Sequence, residues 1–573
     1  MLINAHAHVF NLQTVLSHHA VKIIGQRVRD RGLPEFVVEA VERLLDELVD
    51  RPENLDENEL LARFVAKIAS TNSFKTFVAA NLNVLPVEIR ILGDGPKQLG
   101  VTALRSVLDK LSTALGTTTT GRSSVFDVYE TLHIALEADI VSVADHLLSH
   151  MGPEDGLVAL MMDITAEQEP ARDRANFRAQ IRGTSEAAVQ RPGRIFPFVA
   201  VNTQRVDHFD LMRQAIEKLG FVGVKLYPSL GYQVDTEPMH LVFDYCVKTD
   251  TPVVMHCTRG GFYASEQSRS FGDPAIWEPI LGKRPSLRIC FAHCGGEDGL
   301  EAASGTVKPG TWTAEIVSLM DRYPNVCMDI AYHTGMMGGG IIETNYFATI
   351  NALIANPKYE NRVLFGTDAW ILRLTMADDS FWQYFQKNLT DSVFQQMAGE
   401  APRRFLGLPL SNGTGVRPNI QRYVDFIGEH RNAVGAAPTP WLLTAAGGTF
   451  VVKPGIPGWN LSNYAHFYTY SYVLRVMTPG DTNLGFARSA DLPLRRLTYW
   501  IGGPGTLGFK TRCAGNALKL TAFCKAAGAE YEGEYDDDLA VAQLSTVFEN
   551  GDTTLARLAS AVDAIFRFKS EQI

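Results

Sequence analysis

Short apolar runs alternate with helical patterns over most of the first 408 residues. Eight runs rich in Val, Ile and Phe predict strands at residues 2–9, 157–164, 195–201, 222–227, 252–256, 287–293, 326–330 and 363–367. From the second run onward, helical segments such as 207–219, 239–247 and 313–322 separate them. Apolar strands alternating with helices indicate a parallel sheet covered on both faces. Eight such units predict a TIM (β/α)₈ barrel of the α/β class, and a Rossmann fold is disfavoured because no glycine-rich phosphate turn follows the first strand.

The segment between the first two predicted strands is far longer than an ordinary strand-to-strand connection of a barrel. Helical patterns at 36–49, 59–70, 101–115 and 125–148 fill it. Loops that follow barrel strands emerge at the face where TIM barrels carry their active sites. We therefore predict a helical cap at about 11–150 that covers the mouth of the barrel and contributes substrate contacts.

The pattern changes after Leu408. Residues 409–418 are rich in Gly, Pro, Ser and Asn and predict a linker. Residues 419–573 are enough for a second domain, which we expect to be rich in helix, with one helix over 553–568. The segment Gly503-Pro-Gly-Thr-Leu-Gly508 matches a dinucleotide-binding pattern, but no helix is expected to follow it, so a tight turn is favoured.

Composition narrows the classes of protein. A chain of 573 residues with 46% hydrophobic and 20% charged residues predicts a soluble globular protein of two or three domains. The net charge of −10, without a basic stripe, disfavours nucleic acid and anionic membranes as partners. The chain begins without the pattern of a signal peptide, and no apolar run is long enough to span a bilayer. Seven scattered cysteines without a Cys-x-x-Cys motif predict reduced thiols in a cytoplasmic environment.

Side chains that can bind a metal recur at the ends of the predicted strands. In the first strand, His6 and His8 are two residues apart and therefore point to the same side of an extended chain. Alone, this pair fits either a shared metal ion or ordinary packing. The fifth and sixth predicted strands end in His256 and His293, and the eighth leads into Asp368. Because the C-terminal ends of barrel strands meet at one face, the five residues together predict a metal site.

These segments resemble the amidohydrolase superfamily. The similarity rests on Ile3-Asn-Ala-His-Ala-His8, Gly223-Val-Lys-Leu-Tyr-Pro228, His256, Ala292-His-Cys-Gly-Gly296 and Phe365-Gly-Thr-Asp368. The chain looks most similar to the "amidohydrolase 2" branch, which includes aminocarboxymuconate semialdehyde decarboxylase, and the resemblance covers residues 1–408 without the cap. Since that branch contains both hydrolases and non-oxidative decarboxylases, the resemblance implies a metal-dependent enzyme without fixing its reaction.

The resemblance also implies roles for single residues. His6, His8, His256 and Asp368 would hold one divalent ion, with Zn²⁺ as the first choice and Mn²⁺ or Mg²⁺ as alternatives. His293 and Asp368 would be catalytic and would handle the protons of a water molecule. Lys225 stands where binuclear members carry a carboxylated lysine, so Lys225 and His293 are candidates for a second or bridged metal ion. The alternative for Lys225 is an ordinary ion pair with a carboxylate.

Arg259 and Tyr227 are the candidates for substrate binding. A guanidinium can bind a carboxylate through two hydrogen bonds, and a tyrosine hydroxyl can donate to an oxyanion, although both residues can equally be structural. The leading hypothesis is a hydrolase that attacks a C–N or C–O bond of a small, carboxylate-bearing molecule. The alternatives are a non-oxidative decarboxylase and a metal-binding scaffold that acts through the C-terminal domain. A homo-oligomer is compatible with each of these functions.

Overall fold

The computed structural model of the protein describes residues 1–53, 55–93, 101–115, 124–410, 415–430 and 438–446, and five short strands between residues 484 and 535. The contacts within the chain define two units. One consists of residues 1–187 and 194–423, and the other of residues 188–193 and 424–573.

Eight parallel strands form the centre of the first unit. They are β1 (Ile3–His8), β2 (Gly156–Leu160), β3 (Ile195–Ala200), β4 (Gly223–Leu226), β5 (Val253–His256), β6 (Ile289–Ala292), β7 (Val326–Asp329) and β8 (Val363–Leu364), paired in chain order. Every residue of these strands is buried, as expected for a parallel sheet covered by helices. The backbone N–H of Ala5 donates to the carbonyl of Phe365 over 2.9 Å, and that of Asp368 donates to the carbonyl of His6 over 2.8 Å. These bonds bring the two ends of the sheet together and confirm the predicted TIM barrel.

Among the described residues between β1 and β2, where the sequence predicts a helical insertion, there are eight α-helices. They are α1 (His18–Asp30), α2 (Glu35–Asp50), α3 (Glu57–Ser70), α4 (Asn72–Ala80), α5 (Val87–Gly93), α6 (Val101–Ala114), α7 (Val125–Ala135) and α8 (Ile140–Leu148). The helix predicted over 125–148 is two helices, because the Asp139 side chain accepts the backbone N–H of Ser142 over 2.7 Å and starts α8 afresh.

The helices between the later strands pack on the outside of the barrel. They are α9 (Pro170–Gln190), α10 (His208–Lys218), α11 (Glu237–Thr249), α12 (Glu278–Lys283), α13 (Trp312–Arg322) and α14 (Gly340–Ala355), and β8 is followed by α15 (Ala369–Leu372), α16 (Asp378–Asn388), α17 (Asp391–Gln395), a π-helical turn (Gln396–Glu400) and α18 (Ala401–Leu406). In α11, the buried positions Met239, Val242, Phe243 and Cys246 recur every three or four residues. Such a stripe buries one face of a helix against the sheet.

The chain continues from the barrel into α19 (Pro418–His430), whose start coincides with the end of the predicted linker. Asn419 donates from its amide to the carbonyls of Val222, over 3.1 Å, and Leu406, over 2.8 Å, so the first turn of α19 packs on the barrel. The barrel unit accordingly extends to Tyr423, slightly beyond the predicted boundary at 418.

In the C-terminal region, the described residues beyond α19 form α20 (Pro440–Ala445) and the strands β9 (Leu484–Ser489), β10 (Arg496–Ile501), β11 (Leu507–Arg512), β12 (Leu518–Lys519) and β13 (Glu534–Tyr535). The expected abundance of helix is therefore not seen in this described part, and the helix predicted over 553–568 lies outside the described residues. Since β10 and β11 are antiparallel and Ile501 pairs with Leu507, a strand and not a helix follows the glycine pattern. Within the described residues, no helix is both long and apolar enough to cross a membrane.

Candidate active site

The five predicted metal-binding and catalytic side chains lie at the C-terminal end of the barrel. His6, His8 and His256 belong to their strands, while His293 and Asp368 follow β6 and β8 within a few residues. Each of the five is at most 5% exposed. Since imidazole and carboxylate groups are buried only when other groups satisfy them, their hydrogen bonds show what each can still bind.

His6 and His8 each have one ring nitrogen occupied by the protein. His6 Nδ1 lies 3.0 Å from Oδ2 of Asp329, and His8 Nδ1 lies 3.2 Å from the carbonyl oxygen of Leu160. A carbonyl can only accept, so Nδ1 of His8 carries the hydrogen, and the carboxylate favours the same tautomer at His6. Both Nε2 atoms then carry a lone pair, as in metal-binding histidines, although the lone pair of His6 also faces Nζ of Lys225 at 3.4 Å.

Asp368 brings an unpartnered carboxylate oxygen to these nitrogens. Its Oδ1 lies 3.6 Å from His6 Nε2 and 3.3 Å from His8 Nε2, and it is buried without a hydrogen-bond partner among the described residues. Burial raises the pKa of Asp368 to about 7, while Lys225 acts in the opposite direction. A cation between a buried carboxylate oxygen and two nitrogen lone pairs would satisfy all three atoms, so the donor set fits a divalent metal ion.

His293 belongs to the same cluster. One ligand atom from each of His6, His293 and Asp368 can be chosen so that the three lie within 4.8 Å of one another. Nδ1 of His293 lies 2.9 Å from the carbonyl of Ala331 and therefore carries its hydrogen, which leaves Nε2 with a lone pair. Burial lowers the pKa of His293 well below its ordinary value, so the neutral ring is favoured.

His256 is the predicted ligand that the structure does not bring into this cluster. Its Nε2 lies 3.1 Å from the carbonyl of Gly260, and its ring stacks on that of Tyr227 at a centroid distance of 3.8 Å. Because His256 pairs with Ala292 in the sheet, its ring lies next to that of His293, with a centroid distance of 4.9 Å. His256 therefore lies beside the cluster, and its role as a ligand stays a prediction.

Lys225 lies inside the site. Its Nζ is 3.4 Å from His6 Nε2, and the residue is 1% exposed. Burial lowers the pKa of Lys225 to about 8, although Asp329 and Asp368 favour its charged form. A lysine in contact with the candidate ligands is compatible with the predicted bridging role and also with the simpler role of an internal countercharge.

A cavity of about 270 Å³ opens from the cluster towards the cap. His256, His293, Asp368 and Tyr227 line it together with Arg27 and Arg31 of α1 and with Glu297, Tyr332 and His333. The cap thus supplies the arginines of the wall. Burial raises the pKa of Glu297 to about 7, because the group is withdrawn from water and only partly compensated by backbone N–H donors.

The two predicted substrate-binding residues differ in position. Tyr227 lines the cavity, but its hydroxyl already accepts the backbone N–H of Phe262 over 2.9 Å. Arg259 is exposed and is not part of the cavity wall, because its guanidinium lies over the ring of Trp312 at 5.1 Å. The guanidinium groups that face the cavity are those of the cap.

Sequence reasoning missed Asp329, which links His6 to His293. Its Oδ2 accepts from His6, and its Oδ1 accepts the backbone N–H groups of His293 over 2.9 Å and Ala331 over 3.1 Å. The signal was present, since Asp329 is an acidic residue at the end of an apolar strand. Arg27 and Arg31 gave no comparable signal, because a helical pattern does not reveal which face will cover the barrel.

The fold is a TIM barrel that carries a cluster of potential metal ligands at the C-terminal ends of its strands. Residues 151–408 match the family model described as Amidohydrolase. None of the curated proteins compared with the chain matches it. The match to the amidohydrolase family model covers the barrel from just before β2 onward, and β1, with His6 and His8, precedes the matched segment but completes the same sheet.

Solved structures similar to the chain include three enzymes. The 2,6-dihydroxybenzoate decarboxylase from Rhizobium is 15% identical, with a TM-score of 0.34, and the match covers 46% of this chain and 87% of that one. A dihydroxybenzoic acid decarboxylase from a Polaromonas species, with bound manganese, is 13% identical, with a TM-score of 0.37 and coverage of 52% and 93%. A putative 2-pyrone-4,6-dicarboxylic acid hydrolase from Pseudomonas putida is 16% identical, with a TM-score of 0.31 and coverage of 46% and 86%. Similarities of this size carry no information about the substrate of this chain.

Proposed function

We propose that the protein is a metal-dependent hydrolase that directs water onto a C–N or C–O bond of a small molecule bearing a carboxylate. The observation that carries this proposal is the buried, unpartnered Oδ1 of Asp368 beside Nε2 of His6 and Nε2 of His8, at the base of a cavity. An unpartnered carboxylate oxygen beside two imidazole nitrogens supports a site built for a cation and for the water beside it.

The ion would be held by His6, His8 and Asp368, with His256 or His293 as a further ligand. Imidazole nitrogens with one carboxylate suit Zn²⁺, and Mn²⁺ is the first alternative. When bound, such an ion acts as a Lewis acid and lowers the pKa of a coordinated water molecule. Asp329 supports this arrangement because it keeps the hydrogen of His6 on Nδ1.

His293 is the proposed general base, with Asp368 as a second proton acceptor. The hydrogen of His293 is committed to the Ala331 carbonyl, so Nε2 presents its lone pair at the cavity wall. A neutral ring in this tautomer takes a proton from water and can return it to the leaving group. A decarboxylase would instead need the same nitrogen to deliver a proton to carbon, and the tautomer inferred from the bond to Ala331 therefore favours hydrolysis.

The cap arginines support a substrate with a carboxylate. Arg27 Nε is buried without a hydrogen-bond partner among the described residues, and Arg31 donates to Thr375 Oγ1 over 2.6 Å. Both guanidinium groups lie over the ring of Tyr332, at 5.8 and 5.5 Å from its centre. An anionic group of the substrate would complete the hydrogen bonds of Arg27 and bind through a planar, charge-assisted pair.

Five buried free cysteines in the described part of the chain support a reducing, cytoplasmic location for this enzyme. The site also favours an enzyme over a scaffold, because a site that only binds a metal ion does not need a cavity lined by groups that can transfer protons.

The test combines metal analysis with a substrate screen. Purified wild type, Asp368→Asn and the control Asp321→Asn are compared for metal content, since Asp321 is a surface carboxylate that binds Tyr359 on the outside of the barrel. We expect one metal ion per chain in wild type and control, and loss of the ion in Asp368→Asn. Esters, lactams, amides and carboxylated aromatics are then screened in H₂¹⁸O. Incorporation of ¹⁸O into the product supports hydrolysis, whereas release of CO₂ without incorporation would establish the decarboxylase instead.

A further inference from the structure

His293 stands in a backbone conformation that its own sequence does not favour. Its φ is +59°, and Cys294, Gly295 and Gly296 follow with φ of +50°, +77° and +124°. Glycine adopts positive φ without cost, but His and Cys do so only where the surroundings compel them. The turn after β6 is therefore held by groups outside it.

Four hydrogen bonds fix His293 itself. Its backbone N–H donates to Asp329 Oδ1 over 2.9 Å, and its ring Nδ1 donates to the Ala331 carbonyl over 2.9 Å. Its own carbonyl accepts the backbone N–H of Gly296 over 2.7 Å within the turn and lies 3.0 Å from Nε2 of His333. The bond to His333 ties this carbonyl to a residue outside the turn.

His333 can make this bond in only one tautomer. Since a carbonyl accepts and cannot donate, Nε2 of His333 carries the hydrogen, and Nδ1 is left as an acceptor. The hydroxyl of Tyr346 lies 2.8 Å from that Nδ1 and donates to it. His333 is 2% exposed and Tyr346 is fully buried, so water does not replace either bond.

We propose that His333 and Tyr346 are positioning residues that hold His293 in its left-handed conformation and so direct its Nε2 into the cavity. The proposal rests on the proposed catalytic role of His293. His333 borders the cavity, but both of its ring nitrogens are committed to the protein. It therefore acts through His293 and not by binding substrate.

A neighbouring hydrogen bond from Thr313 holds the same turn independently of His333. Thr313 Oγ1 donates to the carbonyl of Cys294 over 2.7 Å and holds the turn from the side of α13. With Thr313 and Asp329 intact, loss of the His333 bond is expected to leave the fold in place. What changes is the direction of the His293 ring, and a small misplacement of a catalytic group lowers the rate of the chemical step.

The test uses His333→Leu, His333→Gln, Tyr346→Phe and the control Tyr359→Phe. Gln can return an N–H near the position of Nε2, and Tyr359 loses a hydroxyl bonded to Asp321, away from the site. With a substrate found in the ¹⁸O screen, we expect His333→Leu to lower kcat by about 10- to 100-fold with KM changed less than about twofold. His333→Gln should recover a large part of kcat, Tyr346→Phe should fall between, and Tyr359→Phe should match wild type.

Crystal structures of the same four variants provide a readout that needs no substrate. We expect φ at His293 to leave the left-handed region, or its ring to turn away from the cavity, in His333→Leu and not in Tyr359→Phe. An unchanged His293 together with an unchanged kcat would overturn the proposal. If the screen finds no turnover, the hydrolase assignment fails while the crystal structures still decide the positioning role. If His333→Leu does not fold, His333→Gln and Tyr346→Phe decide it by the same criteria.

Discussion

Asp329→Asn should weaken metal binding although it replaces none of the proposed metal ligands. Oδ1 of Asp329 accepts two backbone N–H groups, from His293 and Ala331, whereas Oδ2 accepts only from side chains, chiefly His6. In the variant, the amide oxygen must keep facing the two backbone donors. The new NH₂ group then faces His6 Nδ1, and two donors meet.

His6 can relieve this conflict by moving its hydrogen to Nε2, which is the nitrogen directed at Asp368. A metal ion could bind there only after the hydrogen is returned to Nδ1, where it faces the NH₂ group of Asn instead of making the charge-assisted bond that the carboxylate accepts in wild type. Such a bond contributes about 1.5–3 kcal/mol, and loss of a group that orients a ligand usually costs about 10- to 100-fold in metal affinity. We therefore expect the Kd for Zn²⁺ to rise by about 10- to 100-fold, or about 1.4–2.8 kcal/mol.

The assay titrates metal-free protein with Zn²⁺ in competition with a chromogenic chelator. Asp321→Asn is the matched control, and thermal unfolding of the metal-free proteins shows whether the variants remain folded. A Kd within about twofold of wild type, in a variant that unfolds like wild type, would refute the reasoning. It would mean that Asp329 does not set the tautomer of His6 or that His6 does not bind the ion through Nε2.

Three further predictions follow from packing and charge. Gly366→Ala would place a Cβ 2.5 Å from Cβ of His6, so the chain after β8 and β1 must move apart. We expect about 1–3 kcal/mol of destabilisation in thermal unfolding and a lower metal content. Asp163→Ala removes the carboxylate that binds Arg205 over 2.7 and 2.8 Å. Arg205 is 1% exposed and keeps the longer ion pair with Glu167 over 3.8 Å. The change should cost at most about 3–5 kcal/mol in urea unfolding, and an unchanged midpoint would contradict this. Burial raises the pKa of Glu297 from 4.5 to about 7, so the folded protein holds this proton longer than the unfolded chain and wild-type stability falls as the pH rises through that interval. Gln at position 297 does not titrate. The free energy of unfolding of Glu297→Gln, measured in urea, should therefore rise relative to wild type between those pH values, by at most about 3 kcal/mol. Parallel pH profiles of the two proteins would show that Glu297 is not buried in this way.

The barrel could be predicted from sequence because burial on both faces makes each strand a continuous apolar run. The same reason explains why strand ends were predicted poorly. The run at 157–164 extends four residues beyond β2. Met162 is buried, although its backbone N–H donates to the side chain of Gln180 over 2.9 Å and not to a strand. Apolar residues report burial, whereas a strand also requires backbone pairing.

The candidate site could be predicted only as far as it is built from strand ends. His6, His8, His293 and Asp368 were found because a parallel barrel collects the C-terminal ends of its strands at one face. Asp329 obeys the same rule and could have been included. The cap arginines obey no such rule, since Arg27 reaches the cavity from a helix whose docking depends on tertiary packing.

The choice between His256 and His293 as the further ligand also decides which group is the base. If His256 turns a lone pair to the ion, Nε2 of His293 stays free and remains the base. If His293 is the ligand, as its place in the cluster allows, its lone pair is consumed, and Asp368 must take the proton while also binding the ion. His293 is fixed through its N–H, its carbonyl and its ring. The ring of His256 stacks on Tyr227, and its one described hydrogen bond goes to Gly260 in an exposed turn. A metal ion can reorient a ligand as it binds. A general base has no comparable attraction to orient it, so the protein must hold it in its active orientation beforehand. The rigid histidine is therefore better suited to catalysis, and the less constrained one to metal binding.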